Sequence, residues 1–194
     1  MASPALRPTV RYSDYVTAEA AADSKHEFVE GRIFARAGGT AEHAAIVAAV
    51  TAQLWMQLRG KPCRVYSADL RVRMQVVDVA AYPDVTVVCG ELIPDAQDHH
   101  SATNPSVIVE VLSNGTEAYD RGNKFAYYRT IPTLQQYILV AEQKILIERY
   151  VRNPDDTWTL TTFGSGATAA ISAIDCALSI DELYEGLTLR ETTV

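Results

Sequence analysis

Two carboxylates in this chain stand where a carboxylate is costly. Asp84 opens the apolar run Val85-Thr86-Val87-Val88, and Glu110 lies inside Ser106-Val107-Ile108-Val109-Glu110-Val111-Leu112-Ser113. Each run is short, rich in β-branched residues and bounded by Pro, Asn or Gly, which is the pattern of a buried strand in a mixed sheet. Desolvating a carboxylate is expensive unless it is paired or holds a cation. Neighbouring strands lie about 4.8 Å apart, so acids emerging at adjacent positions could share one divalent ion. Carboxylate oxygens and water suit Mg²⁺ or Mn²⁺ rather than a soft metal. Lys124, in Asp120-Arg121-Gly122-Asn123-Lys124, would add an ammonium able to orient a nucleophile or to stabilise charge growing on a phosphate oxygen. Spacing alone leaves a plainer reading open: strand-end acids in solvent, and an Asp120–Lys124 ion pair one helical turn apart worth about 0.5 kcal/mol.

These residues need elements to hold them. Ser13 and Asp14 are candidate caps of an Ala-rich helix through about Ala22. Residues 27–35 alternate around Gly31 as a hairpin does, and Thr40 offers an N-cap to an amphipathic helix over 41–59, where Val47, Val50, Leu54 and Leu58 recur at spacings of three and four. Val65 to Val76 alternates Asp69, Arg71 and Arg73 against Leu70, Val72 and Met74, which predicts one two-faced strand. The strands carrying Asp84 and Glu110 follow, separated by a polar loop from Glu91 to Asn104. A helix from about Glu117 to Arg129 carries Lys124, and Ile131-Pro132 ends it. Strands over 134–140, 145–151 and 158–163 and a helical turn near 181–186 complete the chain. The class is α/β, with a helix, three strands, a helix and a further strand around a mixed sheet, flanked by an N-terminal hairpin and a C-terminal antiparallel extension.

At 194 residues, with 48% hydrophobic and 21% charged side chains, the chain suits one domain over residues 1–194. Cys63, Cys89 and Cys176 are scattered, with no Cys-x-x-Cys pair, and read as reduced thiols of a cytoplasmic protein. The N-terminus lacks the apolar core of a signal peptide, and no run approaches the ~18 apolar residues of a membrane span. A net charge of -7 weakens a nucleic-acid partner, since phosphate binding depends on Lys and Arg. Most of that charge, however, belongs to residues 151–194, leaving the centre of the chain near neutral.

Asp84 after Pro83, Glu110 in a strand and a downstream lysine resemble the PD-(D/E)XK nuclease superfamily. The longer set Tyr82-Pro83-Asp84, Asn104-Pro105, Glu110-Val111-Leu112-Ser113, Tyr119 to Lys124 and Tyr127-Tyr128 is similar to the bacterial Uma-two family of restriction-endonuclease-like proteins. Glu27, Glu30-Gly31, His43 and Ser67 to Arg71 fit the same pattern, and the resemblance covers about residues 25–152. It implies a Mg²⁺- or Mn²⁺-dependent endonuclease acting on DNA, with Asp84 and Glu110 as metal ligands, the Val111 carbonyl as a further ligand and Lys124 as the catalytic lysine. The superfamily lysine stands two residues after the acid, where this chain has Leu112, so the family pattern points to the helix and Lys124. A restriction-type enzyme that cuts both strands also implies a homodimer.

Around that core, Glu27, His43, Asp69, Ser113 and Asp120 are candidates for supporting the ligands. Arg71, Arg73, Arg121 and Arg129 are candidates for phosphate contacts. Asp69 could instead pair with Arg71, and Tyr127 and Tyr128 read as packing residues. His99 and His100 beside Asp95 and Asp98 read as an exposed loop rather than a metal cluster. Two rival functions remain open: a catalytically silent nuclease-like binding module, and a metal-dependent hydrolase of another substrate class.

Overall fold

The computed structural model describes residues 9–36 and 38–189. Helix α1 (Tyr12–Ala20) begins after Arg11, which caps nothing with its side chain and instead binds Asp14. The expected caps Ser13 and Asp14 therefore lie inside the first turn. Strands β1 (His26–Val29) and β2 (Arg32–Ala35) pair antiparallel around Glu30-Gly31, both in the left-handed region at φ 49° and 79°. Helix α2 (Ala41–Leu58) has the expected cap: the Thr40 hydroxyl accepts from the His43 N–H, and Ile46, Val50, Leu54 and Leu58 are buried.

The predicted strand over 65–76 is two strands. β3 (Cys63–Ser67) ends in a turn closed by the Leu70 N–H on the Ser67 carbonyl, and β4 (Arg71–Met74) enters a different sheet. Alternation runs unbroken across the turn because no Gly or Pro marks it. β5 (Val79–Ala81) and β6 (Val85–Cys89) follow. The expected loop over 91–104 contains the hairpin β7 (Pro94–Asp95) and β8 (Asp98–Ala102), whose polar sequence hid it. Next come β9 (Val107–Leu112), α3 (Glu117–Tyr119), a π-helical turn (Asp120–Lys124) and α4 (Phe125–Tyr128). β10 (Gln136–Ala141), β11 (Ile147–Arg152) and β12 (Trp158–Phe163) form the predicted meander. A hairpin of β13 (Thr168–Ile171) and β14 (Cys176–Ser179), too short and Ala-rich to signal itself, precedes α5 (Ile180–Leu183).

Two six-stranded sheets result, ordered β2-β1-β5-β4-β8-β7 and β12-β11-β10-β9-β6-β3. The second is mixed: β9 and β10 run parallel, joined by the α3–α4 crossover, while its other pairs are antiparallel. One face of this sheet (Val85, Val87, Val107, Val109) packs on α2 and the β13–β14 hairpin. The other face (Ile108, Tyr137, Leu139) packs on Phe125 and Tyr128 of α4 and on Val72, Met74, Val79 and Ala81 of the first sheet. Helix α1 covers the first sheet through Tyr12 and Tyr15, which pack on Phe28 of β1. The architecture is the α/β, mixed-sheet class read from the sequence.

Cys63 and Cys89, directly opposed on β3 and β6, form a disulfide, which corrects the expectation of reduced thiols; Cys176 alone is free, and buried. Scattered spacing hid the pair because it is made by sheet register.

Candidate functional site

The β6–β9 register sets Val85 opposite Val109, so one step further Asp84 stands opposite Glu110. Residues directly opposed on antiparallel strands share a face. Both carboxylates are buried, at 3% and 2% exposure. They line a cleft of about 250 Å³ together with Glu27 of β1, Arg36, His43 of α2, Val111, Ser113, Asp120 and Lys124. The cleft opens at the seam where the chain leaves the first sheet after β5 and enters the second at β6.

Every charged group here has several partners. Lys124 Nζ lies 2.9 Å from Glu110 Oε1, 3.4 Å from Asp120 Oδ1 and 3.6 Å from Glu27 Oε1. Tyr128 Oη, also inside, donates to Glu110 Oε1 at 2.9 Å. The Asp84 carboxylate accepts the Val111 N–H at 2.8 Å and meets His43 Nε2 at 3.1 Å, and the Arg36 guanidinium bridges it to the Tyr82 carbonyl. A Cβ on Gly39 would fall 2.6 Å from His43 Nδ1, so the imidazole needs glycine beside it.

The four lining carboxylates of Glu27, Asp84, Glu110 and Asp120 face only two permanent cations, Arg36 and Lys124. With all four ionised and His43 neutral, two negative charges would stand uncompensated. The titration of the groups is set first by burial and then by their charged neighbours. Burial pushes the Glu110 carboxyl up to about 8, with Asp84 and Asp120 adding to the rise and Lys124 opposing it. Asp120 is raised by burial too. Burial alone would lower Lys124, but the surrounding Glu110, Glu27 and Asp120 hold it above its ordinary value and charged. Asp84 is also pressed upward by burial, yet His43, the Val111 N–H and Arg36 outweigh that and hold it below the ordinary carboxylate range. His43 is raised by its hydrogen bond to Asp84.

A cation entering the cleft would favour the ionised form of these carboxylates, and in that form the site is short of two positive charges, which fits a divalent ion. Among the described residues no three His, Cys, Asp or Glu side chains form a metal cage, and the opposed Asp84 and Glu110 offer a carboxylate pair with backbone and solvent beside them. Mg²⁺ and Mn²⁺, which accept few carboxylates and keep several waters, match that donor set.

Of the residues singled out in the sequence, Glu27, His43, Asp84, Glu110, Val111, Ser113, Asp120 and Lys124 meet in this cleft. Asp69 does not: its side chain is 81% exposed and pairs with Lys25. Arg71 and Arg73, expected at phosphates, are buried; Arg71 forks onto Asp98, and Arg73 binds Asp78 and covers the Tyr12 ring. Arg121 is engaged by Glu117 and Glu148. His99 and His100 are exposed, as read. Tyr128 packs, as expected, and also serves Glu110. Sequence reasoning passed over Arg36, whose signal was a lone cation between an edge strand and Gly38-Gly39.

A family model described as "Putative restriction endonuclease", named Uma2, matches residues 12–181. Two uncharacterized proteins of Synechocystis sp. are similar along most of their length: slr1290 at 34% identity over 93% of this chain and 94% of its own, and sll1609 at 32% over 77% and 84%. Among solved structures, a crystal structure of a putative nuclease belonging to DUF820 from Anabaena variabilis superposes with a TM-score of 0.70 at 16% identity, covering 84% of this chain and 91% of that one. At that identity the likeness concerns the fold.

Proposed function

Because the chain belongs to the Uma2 family of restriction-endonuclease-like proteins, we propose that it is a divalent-metal-dependent endonuclease hydrolysing phosphodiester bonds of DNA. In this reading residues 1–194 act as one domain, as a homodimer, in the cytoplasm. The observation that supports it is the surplus of buried carboxylates in an open cleft, with Lys124 Nζ 2.9 Å from Glu110.

Asp84 and Glu110, with the Val111 carbonyl, are the residues that would hold Mg²⁺ or Mn²⁺. When bound, such an ion supplies Lewis-acid charge to the phosphate and eases deprotonation of a water. The chain's own groups do the rest. Arg36, bound to both the Tyr82 carbonyl and Asp84, fixes the strand end that carries the first acid. His43 orients the same carboxylate, and Tyr128 orients Glu110. Lys124 presents a permanent ammonium that stabilises negative charge on the phosphate or orients the attacking water. Its burial beside three carboxylates keeps it protonated, so electrostatic stabilisation is its role rather than proton abstraction.

The test is incubation of plasmid DNA with the purified chain in Mg²⁺ or Mn²⁺, expecting nicks or linear product that EDTA abolishes. Persistent cleavage by Asp84→Ala or Lys124→Ala would reject the residue assignments. A second reading has its own support: Lys124 and Asp84 are each already neutralised by protein partners, as in a silent nuclease-like binding module. No cleavage of any DNA, with affinity unchanged in Asp84→Ala, would favour it. The Cys63–Cys89 pair bears on location, since disulfides persist in oxidising compartments. Three titratable thiols in freshly extracted, denatured protein fit the cytoplasm, and one thiol rejects it.

A further inference from the structure

The β1–β2 hairpin presents a surface that the catalytic cluster does not explain. β2 is the outer strand of its sheet, paired only with β1, and all four of its residues are exposed. Phe34 leaves 44% of its area in solvent and Ile33 40%. An exposed edge strand with large apolar side chains is a liability unless something covers it.

Phe34 is not placed at random on that edge. The register sets it opposite Glu27, so the two share a face about 5 Å apart. Glu27 reaches toward the Lys124 ammonium, and Phe34 itself lines the cleft beside Asp84 and Glu110. Arg32, two residues earlier on the same face, holds its guanidinium 5.2 Å over the Phe34 ring. The strand thus offers a flat aromatic ring and a cation at the rim of an acidic site. With Arg71 and Arg73 buried in internal ion pairs, and Arg36 and Lys124 engaged by the cleft's carboxylates, Arg32 beside Phe34 offers an exposed cation next to the cleft.

We propose that this face of β2 is the rail along which the substrate strand lies, with Phe34 stacking on a base next to the scissile phosphate and Arg32 meeting a neighbouring phosphate. The inference rests on the nuclease reading above. Stacking is tolerant of sequence because every base has a π-face. It requires a base unpaired from its partner, so frayed, nicked or single-stranded DNA should bind better than intact duplex. The occupant is nucleic acid rather than an apolar protein segment because the ring is flanked by a cation and faces a catalytic cleft.

The experiment compares the full-length wild type with Phe34→Ala, Phe34→Leu, Phe34→Tyr and Arg32→Ala. Binding of a fluorescein-labelled 30-nucleotide single strand is followed by anisotropy across a salt series in Ca²⁺, and plasmid cleavage is followed in Mn²⁺. Phe34→Ala and Phe34→Leu should weaken binding by roughly 5- to 150-fold, the usual worth of one stacked base, whereas Phe34→Tyr keeps it. Arg32→Ala should flatten the slope of log affinity against log salt by about 0.7, as for one lost phosphate contact on a single strand. Thermal midpoint and Mn²⁺ affinity by calorimetry should stay as in the wild type, because neither side chain supports the core. If the wild type binds and cleaves while Phe34→Ala and Phe34→Leu match it, the rail is rejected and the nuclease reading stands. If the wild type neither binds nor cleaves, the nuclease reading fails and takes the rail with it. If Phe34→Ala loses thermal stability, Phe34→Leu against Phe34→Tyr decides, since both retain apolar bulk and only one retains a ring.

Discussion

Two clusters of buried charge lie a few strands apart in this molecule, and they are built on opposite principles. Around Arg71, the guanidinium forks onto both oxygens of Asp98 at 2.8 Å and donates its third nitrogen to the Tyr82 hydroxyl at 3.0 Å. Asp98 also receives Tyr12 Oη and the His100 N–H. One charge meets one charge, and the surrounding dipoles satisfy the remaining lone pairs. Burial presses the Asp98 carboxyl upward, but Arg71 overrides it and holds it below the ordinary range. Around Glu110 the acids outnumber the cations, and burial carries its carboxyl up to about 8. The first cluster is closed and complete, and the second is open to a cleft and in charge deficit. Buried charge by itself does not mark a site; incomplete buried charge does.

The largest effect should come from breaking the complete cluster. Asp98→Ala leaves a guanidinium buried without its partner and should cost about 3–5 kcal/mol in urea-induced unfolding; a loss below 1 kcal/mol would show that the cluster is not the staple described. The same carboxyl carries a pH signature. Its folded pKa is depressed below 3.8, so its contribution is fully present above that value and is lost as pH falls through the folded pKa. The stability gap between wild type and Asp98→Asn should therefore close on the acid side.

The incomplete cluster should respond the other way. Glu110→Gln replaces a carboxyl that burial drives toward its neutral form, so metal-free stability should hold or rise. Cleavage should nevertheless fall at least about 100-fold, since even outer-shell partners of a metal are worth roughly 10–100-fold. A variant both destabilised and active would erase the contrast between the clusters.

A smaller effect tests the cradle of His43. Gly39→Ala should push the ring off Asp84 and reduce turnover by roughly ten-fold, the worth of about one hydrogen bond. His43 titrates above its ordinary 6.5 because of that bond, a stabilisation present at low pH and lost as pH rises through the folded value. In Gly39→Ala the NMR titration midpoint of His43 should drop back toward 6.5, and an unmoved midpoint would show that the ring has room. The smallest effect belongs to Asp69. Paired with Lys25 at the surface, it should change stability by less than about 0.5 kcal/mol when replaced by Ala, with cleavage untouched. A large loss of cleavage would return Asp69 to the site.

The incomplete cluster was more legible in sequence than the complete one. Asp84 and Glu110 announced themselves as acids in apolar strands, Lys124 through the family resemblance, and His43 by its place after Thr40. The Arg71–Asp98 pair could not be read, because its strand β8 is Asp-His-His-Ser-Ala, with neither β-branched residues nor alternation, and is held by pairing with β4 and β7. Asp69 lies outside the cleft for a related reason: a turn after Ser67 that no Gly or Pro marks sends the chain to another sheet. The Cys63–Cys89 bond and Arg36 on Asp84 are likewise products of register between segments 26 and 48 residues apart. Local pattern reports which residues share an element, and pairing between distant elements decides which of them touch.

The three residues Tyr82, Pro83 and Asp84 form the whole link between the two sheets at β5 and β6, and Arg36 grips both its first carbonyl and its last carboxylate. Such a short, clamped link cannot absorb sliding of one sheet over the other. Glu27 belongs to the first sheet and Glu110 to the second, while Lys124 bridges the two. Whatever fills the cleft therefore acts as a rivet through a hinge. Its grip should register far from the chemistry, as slowed amide exchange in strands of both sheets that never touch it.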